Sequence, residues 1–197
     1  GAGGKTLALA AAMRSSGRVY AFDVSVKRLD ALKPRLARSG ASNVHPQWID
    51  GERDPRIGRL SGKIDRVLVD APCSGLGTLR RNPDLKWRQQ PSDLAELTAK
   101  QAAILDSAAR LVKPGGRLVY VTCSILAEEN EAIVAAFLAR TPGFRVGDAP
   151  ALLAAQGVAL PDASGPYLAL DPHRHGTDGF FAAVLERVAA DATKGAA

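Results

Sequence analysis

An apolar strand pattern at Val67-Leu68-Val69 stops abruptly at Asp70-Ala71-Pro72-Cys73-Ser74-Gly75. No other stretch restricts the fold as strongly. Proline lacks an N–H and cannot continue a central strand, so the chain turns at Pro72. In open α/β sheets, ligands sit outside the carboxyl ends of the strands. Asp70 and Cys73 are therefore expected on a loop at the rim of a sheet. Cys73 alone would equally fit a buried, inert cysteine on an ordinary turn. A second site, Thr122-Cys123-Ser124, ends another apolar run, Leu118-Val119-Tyr120-Val121. Two cysteines at two strand ends point to one cleft.

The rest of the chain supplies strands and helices in alternation. Gly1-Ala2-Gly3-Gly4-Lys5-Thr6 is a glycine turn feeding a helix rich in Ala and Leu, both strong helix formers. Backbone N–H groups at such a start attract phosphate or carboxylate. Residues 18–23 read as a strand ending in Asp23. An acid about 20 residues after a glycine loop is the expected partner of ribose hydroxyls. Asp23 could instead cap the next helix, a role open to Ser25 too.

Residues 25–39 read as a helix with Leu29, Leu32 and Leu36 at helical spacing. Pro34 marks a kink or break in it, and Gly40 ends it. A strand over 43–49 contains Pro46 and leads to Asp50-Gly51. Residues 52–62 read as loop or a short helix, and 64–70 as a strand. Ser92 is expected to cap a long helix with Glu96 as its box partner, ending before Pro114-Gly115-Gly116. A strand over 117–122, a helix over 127–140 and a strand over 143–146 follow. Residues 149–164 read as irregular with one short helix, and 179–188 as a closing strand.

This alternation predicts an α/β fold, a parallel sheet with helices on both faces. Residues 1–190 form one catalytic domain, and 191–197 a disordered tail. The glycine loop needs a strand feeding it, so a first strand is expected upstream of residue 1.

With 197 residues and 46% hydrophobic content the chain has enough for a full core. No apolar run approaches the roughly 20 residues of a membrane span. Two cysteines without a framework fit a reducing compartment, hence a cytoplasmic location. The net charge of +6 and pI near 9.6 fit a polyanionic partner. Arg80, Arg81, Lys86 and Arg88 cluster just after the Asp70–Gly75 loop and are candidate phosphate contacts, or a solvated face. Trp87 reads as core rather than as a stacking platform. Asp106 and Glu128 to Glu131 read as helix-surface charges. His173 and His175 lack the further ligands a metal needs, so no metal is expected.

Gly4-Lys5-Thr6 could also end a phosphate-binding P-loop, with Asp70 as a metal-binding acid. Nucleoside triphosphate chemistry has no use for Pro72, Cys73 or Thr122-Cys123-Ser124. An idle RNA-binding assembly factor would need neither cysteine.

Taken in order, GAGGKT, Asp23, Asp50, DAPCSG at 70–75, TCS at 122–124 and TDGFF at 177–181 resemble the catalytic domain of the Sun/RsmB-type RNA cytosine-5 methyltransferases. Ala2 and Gly3 stand where that family usually has Pro-Gly. The resemblance implies a class I, Rossmann-like sheet, mostly parallel with an antiparallel last strand. It implies S-adenosylmethionine-dependent methylation of cytosine C5 in RNA, small-subunit rRNA first and tRNA as the alternative, by a monomer. Cys123 would be the nucleophile toward C6, and Cys73 would assist proton loss and enzyme release. Asp70 would bond the cytosine edge and border the cofactor. Gly1, Ala2, Gly3, Gly4 and Lys5 would cradle the cofactor's methionine part, Asp23 its ribose and Asp50 its adenine. The family's first strand, a further cysteine and an N-terminal RNA-binding domain would precede residue 1.

Overall fold

Alternating patterns become alternating strands and helices in the computed structural model, which describes residues 3–160 and 165–189. Gly1, Ala2 and the 191–197 tail lie outside those residues. The chain divides into two compact units, Gly1–Ile57 and Gly58–Ala197. No described helix is long and apolar enough to cross a membrane.

In the first unit, helix α1 (Gly4–Ala12) starts behind Gly3, whose φ of 88° is left-handed. A Cβ on Gly3 would lie 2.2 Å from Leu32 Cδ1. Glycine is thus required by both backbone and space. Strand β1 (Val19–Asp23) pairs in parallel with β2 (Val44–Trp48), Asp23 opposite Trp48. Helix α2 (Val26–Ser39) joins them, burying Leu29 and Leu32. Ser25 caps it, its Oγ accepting the Arg28 N–H at 3.3 Å. Gly40, at φ 66°, closes it. The break expected at Pro34 does not occur. A proline costs a helix one N–H bond and some crowding, and the buried leucines ahead of it hold the helix together. Pro46 stays within β2, which has β1 as its partner and so can spare an N–H on its other edge. Helix α3 (Pro55–Gly58) ends where the second unit begins.

In the second unit, β3 (Ile64–Asp70) and β4 (Val112–Thr122) pair in parallel, with Asp70 opposite Val121. Between these two strands the chain forms the short helix α4 (Leu85–Arg88) and the long helix α5 (Pro91–Leu111). The closing strand β7 (Phe180–Arg187) runs antiparallel to β4. It also pairs with β5 (Phe144–Gly147) near one end and with β6 (Leu168–Leu170) near the other. Helix α6 (Glu131–Arg140) follows β4, α7 (Ala149–Ala154) follows β5, and α8 (Pro172–His175) separates β6 from β7. The antiparallel last strand is as expected, whereas β6 and α8 add elements the sequence pattern did not announce.

The core sits beneath α5 and α6. Leu118 and Tyr120 of β4 face Leu185 and Ala183 of β7, all four at 0% exposure with Leu105, Val134 and Phe137. Two-residue spacing puts them on one sheet face. Each such leucine contributes about 1.5–3 kcal/mol by leaving water. Helix α5 starts one residue before Ser92: Pro91 is its first residue and Gln90 its cap. The box partner is Asp93, whose Oδ2 accepts the Gln90 N–H at 2.9 Å, not Glu96. Proline favours the first helical position because its missing donor is unpaired there anyway.

Candidate active site

Parallel pairing of β3 and β4 brings both strands to an end at the same sheet edge. Each chain then turns. Ala71 N–H still reaches the Val121 carbonyl at 3.0 Å, and Pro72 ends the ladder. Cys73 and Cys123 follow, and their sulfurs lie 3.3 Å apart. Neither cysteine is in a disulfide, and both are half-buried. The neighbouring Cys123 sulfur, and then burial, push the Cys73 thiol well above its ordinary value. Either sulfur can donate in this contact. Asp70 stands exposed at the end of β3, on the same edge.

The two loops are bonded to each other and to a third. Ser74 Oγ meets Ser124 Oγ at 3.2 Å. Gly77 N–H donates to the Cys123 carbonyl at 2.9 Å, and Gly179 N–H to the Gly77 carbonyl at 2.7 Å. Gln89 Nε2 donates to the Ser74 carbonyl at 2.9 Å. Glu129, expected on a helix surface, is fully buried. Its carboxylate accepts from Ser74 N–H at 2.8 Å and Ser74 Oγ at 2.5 Å. Residues 127–129 form a 3-10 turn rather than the start of α6, and that turn points the carboxylate inward. Asp106 does lie at the surface, paired with Arg140 at 3.0 Å.

The basic candidates are not uniformly free. Arg80 and Arg81 flank Asp178 at 3.8 and 3.0 Å, tying their segment to the loop before β7. Arg88 pairs with Asp84 at 2.5 Å. Lys86 Nζ lies 4.9 Å from the Trp87 ring centroid. Trp87 is 76% exposed, which corrects its assignment to the core. Helix α4 is one turn long and buries no residue. The His173 and His175 segment is a capped turn: Asp171 Oδ1 accepts from His173 and Arg174 N–H, and His175 Nδ1 accepts from Asp171 N–H at 2.9 Å.

In the first unit, Asp23 and Asp50 stand at or just beyond the carboxyl ends of β1 and β2. Asp23 Oδ1 accepts the Ser25 N–H at 2.8 Å, so Asp23 steadies the turn while Ser25 caps the helix. Asp50 is exposed, and its N–H donates to Asp54 Oδ2 at 2.9 Å. The buried Asp54 also accepts the Arg56 N–H at 2.8 Å. Sequence patterning passed over Asp54 as part of a polar loop. Gly3, Gly4 and Lys5 form the start of α1, with Gly4 and Lys5 exposed.

A model of the family described as "16S rRNA methyltransferase RsmB/F" matches residues 1–186. The chain is 40% identical over 185 residues to a probable ribosomal RNA small subunit methyltransferase B of Synechocystis, covering 94% of this chain and 41% of that relative. The crystal structure of PH0851 superposes with a TM-score of 0.83 at 41% identity, over 93% of this chain and 40% of that one. The crystal structure of NSun6 from Pyrococcus horikoshii with SFG gives 0.80 at 29%, over 94% and 45%. The chain spans less than half the length of these relatives. These likenesses carry the expected methyltransferase fold and leave the triphosphatase reading without support. The chain belongs to the 16S rRNA methyltransferase RsmB/F family.

Proposed function

We propose that this domain transfers a methyl group from S-adenosylmethionine to C5 of a cytosine in RNA, with small-subunit rRNA as the substrate. The observation that carries the proposal is the 3.3 Å approach of two thiols at adjacent strand ends. A purely binding protein has no use for it.

The first unit fits the cofactor's nucleoside. Two carboxylates, Asp23 and Asp50, stand at the ends of neighbouring parallel strands, where α/β sheets hold ligands. Asp23 would take the ribose hydroxyls and Asp50 the adenine. Gly3, Gly4 and Lys5, with Gly1 and Ala2 before them, would hold the methionine part at a helix start. Bound there, the cofactor supplies an electrophilic methyl group.

Cytosine C5 is a poor nucleophile until C6 is substituted. The Cys123 thiolate adds to C6, its proton having passed to solvent, and C5 gains the electron density to take the methyl. Asp70 would hydrogen-bond the cytosine at N3 or N4 and so favour addition. C5 must next lose its proton. The chief cause of Cys73's raised thiol is the neighbouring Cys123 sulfur. Once that sulfur is bonded to C6, this cause is gone, and the Cys73 thiol gives its proton to solvent more readily. Cys73 then accepts the C5 proton, C5=C6 re-forms, and the Cys123–C6 bond breaks. A base reaching this edge leaves its stack, and Arg80, Arg81, Lys86 and Arg88 meet the flanking phosphates.

The test is methyl transfer from labelled cofactor to small-subunit rRNA. Cys123→Ala should be inactive, and Cys73→Ala should accumulate a slow-migrating covalent RNA adduct. A fully active Cys123→Ala enzyme would sink the proposal.

A further inference from the structure

We infer that Glu129 and Asn130 are a positioning pair for this reaction, one side chain for each cysteine loop. The inference rests on Cys73 and Cys123 being the reacting pair.

Glu129 is 0% exposed. A carboxylate removed from water is costly unless donors replace the solvent. Three donors do so: Ser74 N–H, Ser74 Oγ and, at 3.0 Å, Gln101 Nε2. Two of the three belong to the residue directly after Cys73. The same Gln101 nitrogen donates to the Pro72 carbonyl at 2.9 Å. Both chain neighbours of Cys73 are thus held, Pro72 by Gln101 and Ser74 by Glu129.

Asn130 does the equivalent for Cys123. Its Oδ1 accepts the Thr122 hydroxyl at 2.5 Å, and its Nδ2 donates to the Ser124 carbonyl at 3.0 Å. The single peptide bond between Glu129 and Asn130 therefore links two loops that are 50 residues apart in the chain. Tyr120 fixes this link from below, its hydroxyl donating to the Glu129 carbonyl at 2.7 Å. Tyr120, Gln101 and Asn130 are all buried. A carboxylate placed only for solubility needs none of these partners. Its cost in desolvation is offset by what it fixes: the separation of two sulfurs whose roles demand that one attack while the other takes a proton.

The test uses Glu129→Gln and Asn130→Asp in the full-length protein, both close in shape to the native side chains. Each replaces one acceptor or donor with its opposite. Two readouts are taken well below the melting temperature of each variant. One is kcat and KM for rRNA and cofactor. The other is the rate at which diamide closes a Cys73–Cys123 disulfide, two thiols being oxidised as the diazene is reduced to the hydrazine. Misplacing reacting groups by about 1 Å costs on the order of 100-fold. We therefore expect kcat to fall by about that factor, with both KM values within about threefold of the parent's. Disulfide closure should slow by about tenfold, because closure demands a narrow range of geometry. Parental kcat and closure rates in both variants would overturn the inference. So would a loss confined to KM. If the parent transfers no methyl group to RNA, the functional proposal fails, and the closure rates alone still decide the positioning role. If one variant does not fold, the other decides.

Discussion

Gly179 donates its N–H to the Gly77 carbonyl at 2.7 Å, and neither residue has room for a side chain. A Cβ on Gly77 would lie 2.3 Å from the Gly179 carbonyl oxygen and 2.8 Å from that of Cys123. A Cβ on Gly179 would lie 2.4 Å from Ile125 Cγ2 and 2.8 Å from Gly77 Cα. Three loops cross at this point, and the one carrying Cys123 is held through its own carbonyl.

Gly77→Ala should therefore be more damaging than a loop alanine usually is. The clash is with backbone, which yields less than a flexible side chain. Overpacking of this kind costs roughly 1–3 kcal/mol. A lowered melting temperature together with a fall in methyl transfer is expected. An enzyme with parental Tm and activity would show that the loops separate freely.

Cys73 offers a pH test that needs no RNA. Its thiol is raised first by the Cys123 sulfur and then by burial. Removing the first cause lowers the value and leaves the second in place. Iodoacetamide reacts with thiolate rather than thiol. In Cys123→Ala, alkylation of Cys73 should therefore set in at lower pH than in a control where only Cys73 is read in the parent, identified by peptide mass. An onset that stays put, or moves to higher pH, would deny that the two sulfurs are electrically coupled.

The sheet edge was legible in the residues because apolar runs end there in Asp, Pro and Cys, and parallel pairing does the rest. Glu129 was not. Ala-Glu-Glu-Asn-Glu has the look of a solvated first turn, and its burial depends on Ser74, 55 residues earlier. Trp87 failed in the opposite sense. Its size argued for the core, but a one-turn helix has no buried face to offer. Strand β6 is only Leu168–Leu170, too short for alternation to register, and its pairing is supplied by β7. Arg80 and Arg81 were legible as charges but not as partners of Asp178, which lies about 100 positions along the chain.

Trp87 separates a binding role from a folding one. At 76% exposure its removal should cost little stability, within about 0.5 kcal/mol for a surface site. Stacking of an RNA base on an aromatic ring is worth about 1–3 kcal/mol. Trp87→Ala is thus expected to melt with the parent while binding RNA about tenfold more weakly, as measured by fluorescence anisotropy at fixed salt. Equal affinity for RNA would remove Trp87 from the RNA-binding surface.

Arg81 should behave differently, because its guanidinium is already engaged. Its pairing with Asp178 at 3.0 Å is largely exposed on the arginine side, so the pair itself is worth less than about 1 kcal/mol. If the same group also reaches a phosphate, Arg81→Ala should weaken RNA binding and reduce the slope of log K against log salt by about 1. An unchanged slope with a small drop in Tm would leave Arg81 with the loop-tying role alone.

Asp54 tests the cofactor side without touching a proposed ligand. It is buried, and its two oxygens accept the N–H groups of Asp50 and Arg56. The first bond holds the backbone of the acid expected at the adenine; the second caps α3. Asp54→Ala removes both acceptors. Loss of a cap costs about 0.5–2 kcal/mol, so a modest fall in Tm is expected whatever the domain does. The informative quantity is cofactor affinity. If Asp50 meets the adenine, a loosened Asp50 backbone should raise the cofactor's Kd by about tenfold, which corresponds to about 1.4 kcal/mol. Isothermal titration with S-adenosylhomocysteine reads this directly, and Asp50→Ala should show a loss at least as large. A destabilised Asp54→Ala protein that binds the nucleoside with parental affinity would place Asp50 away from the adenine and leave Asp54 as a helix cap only.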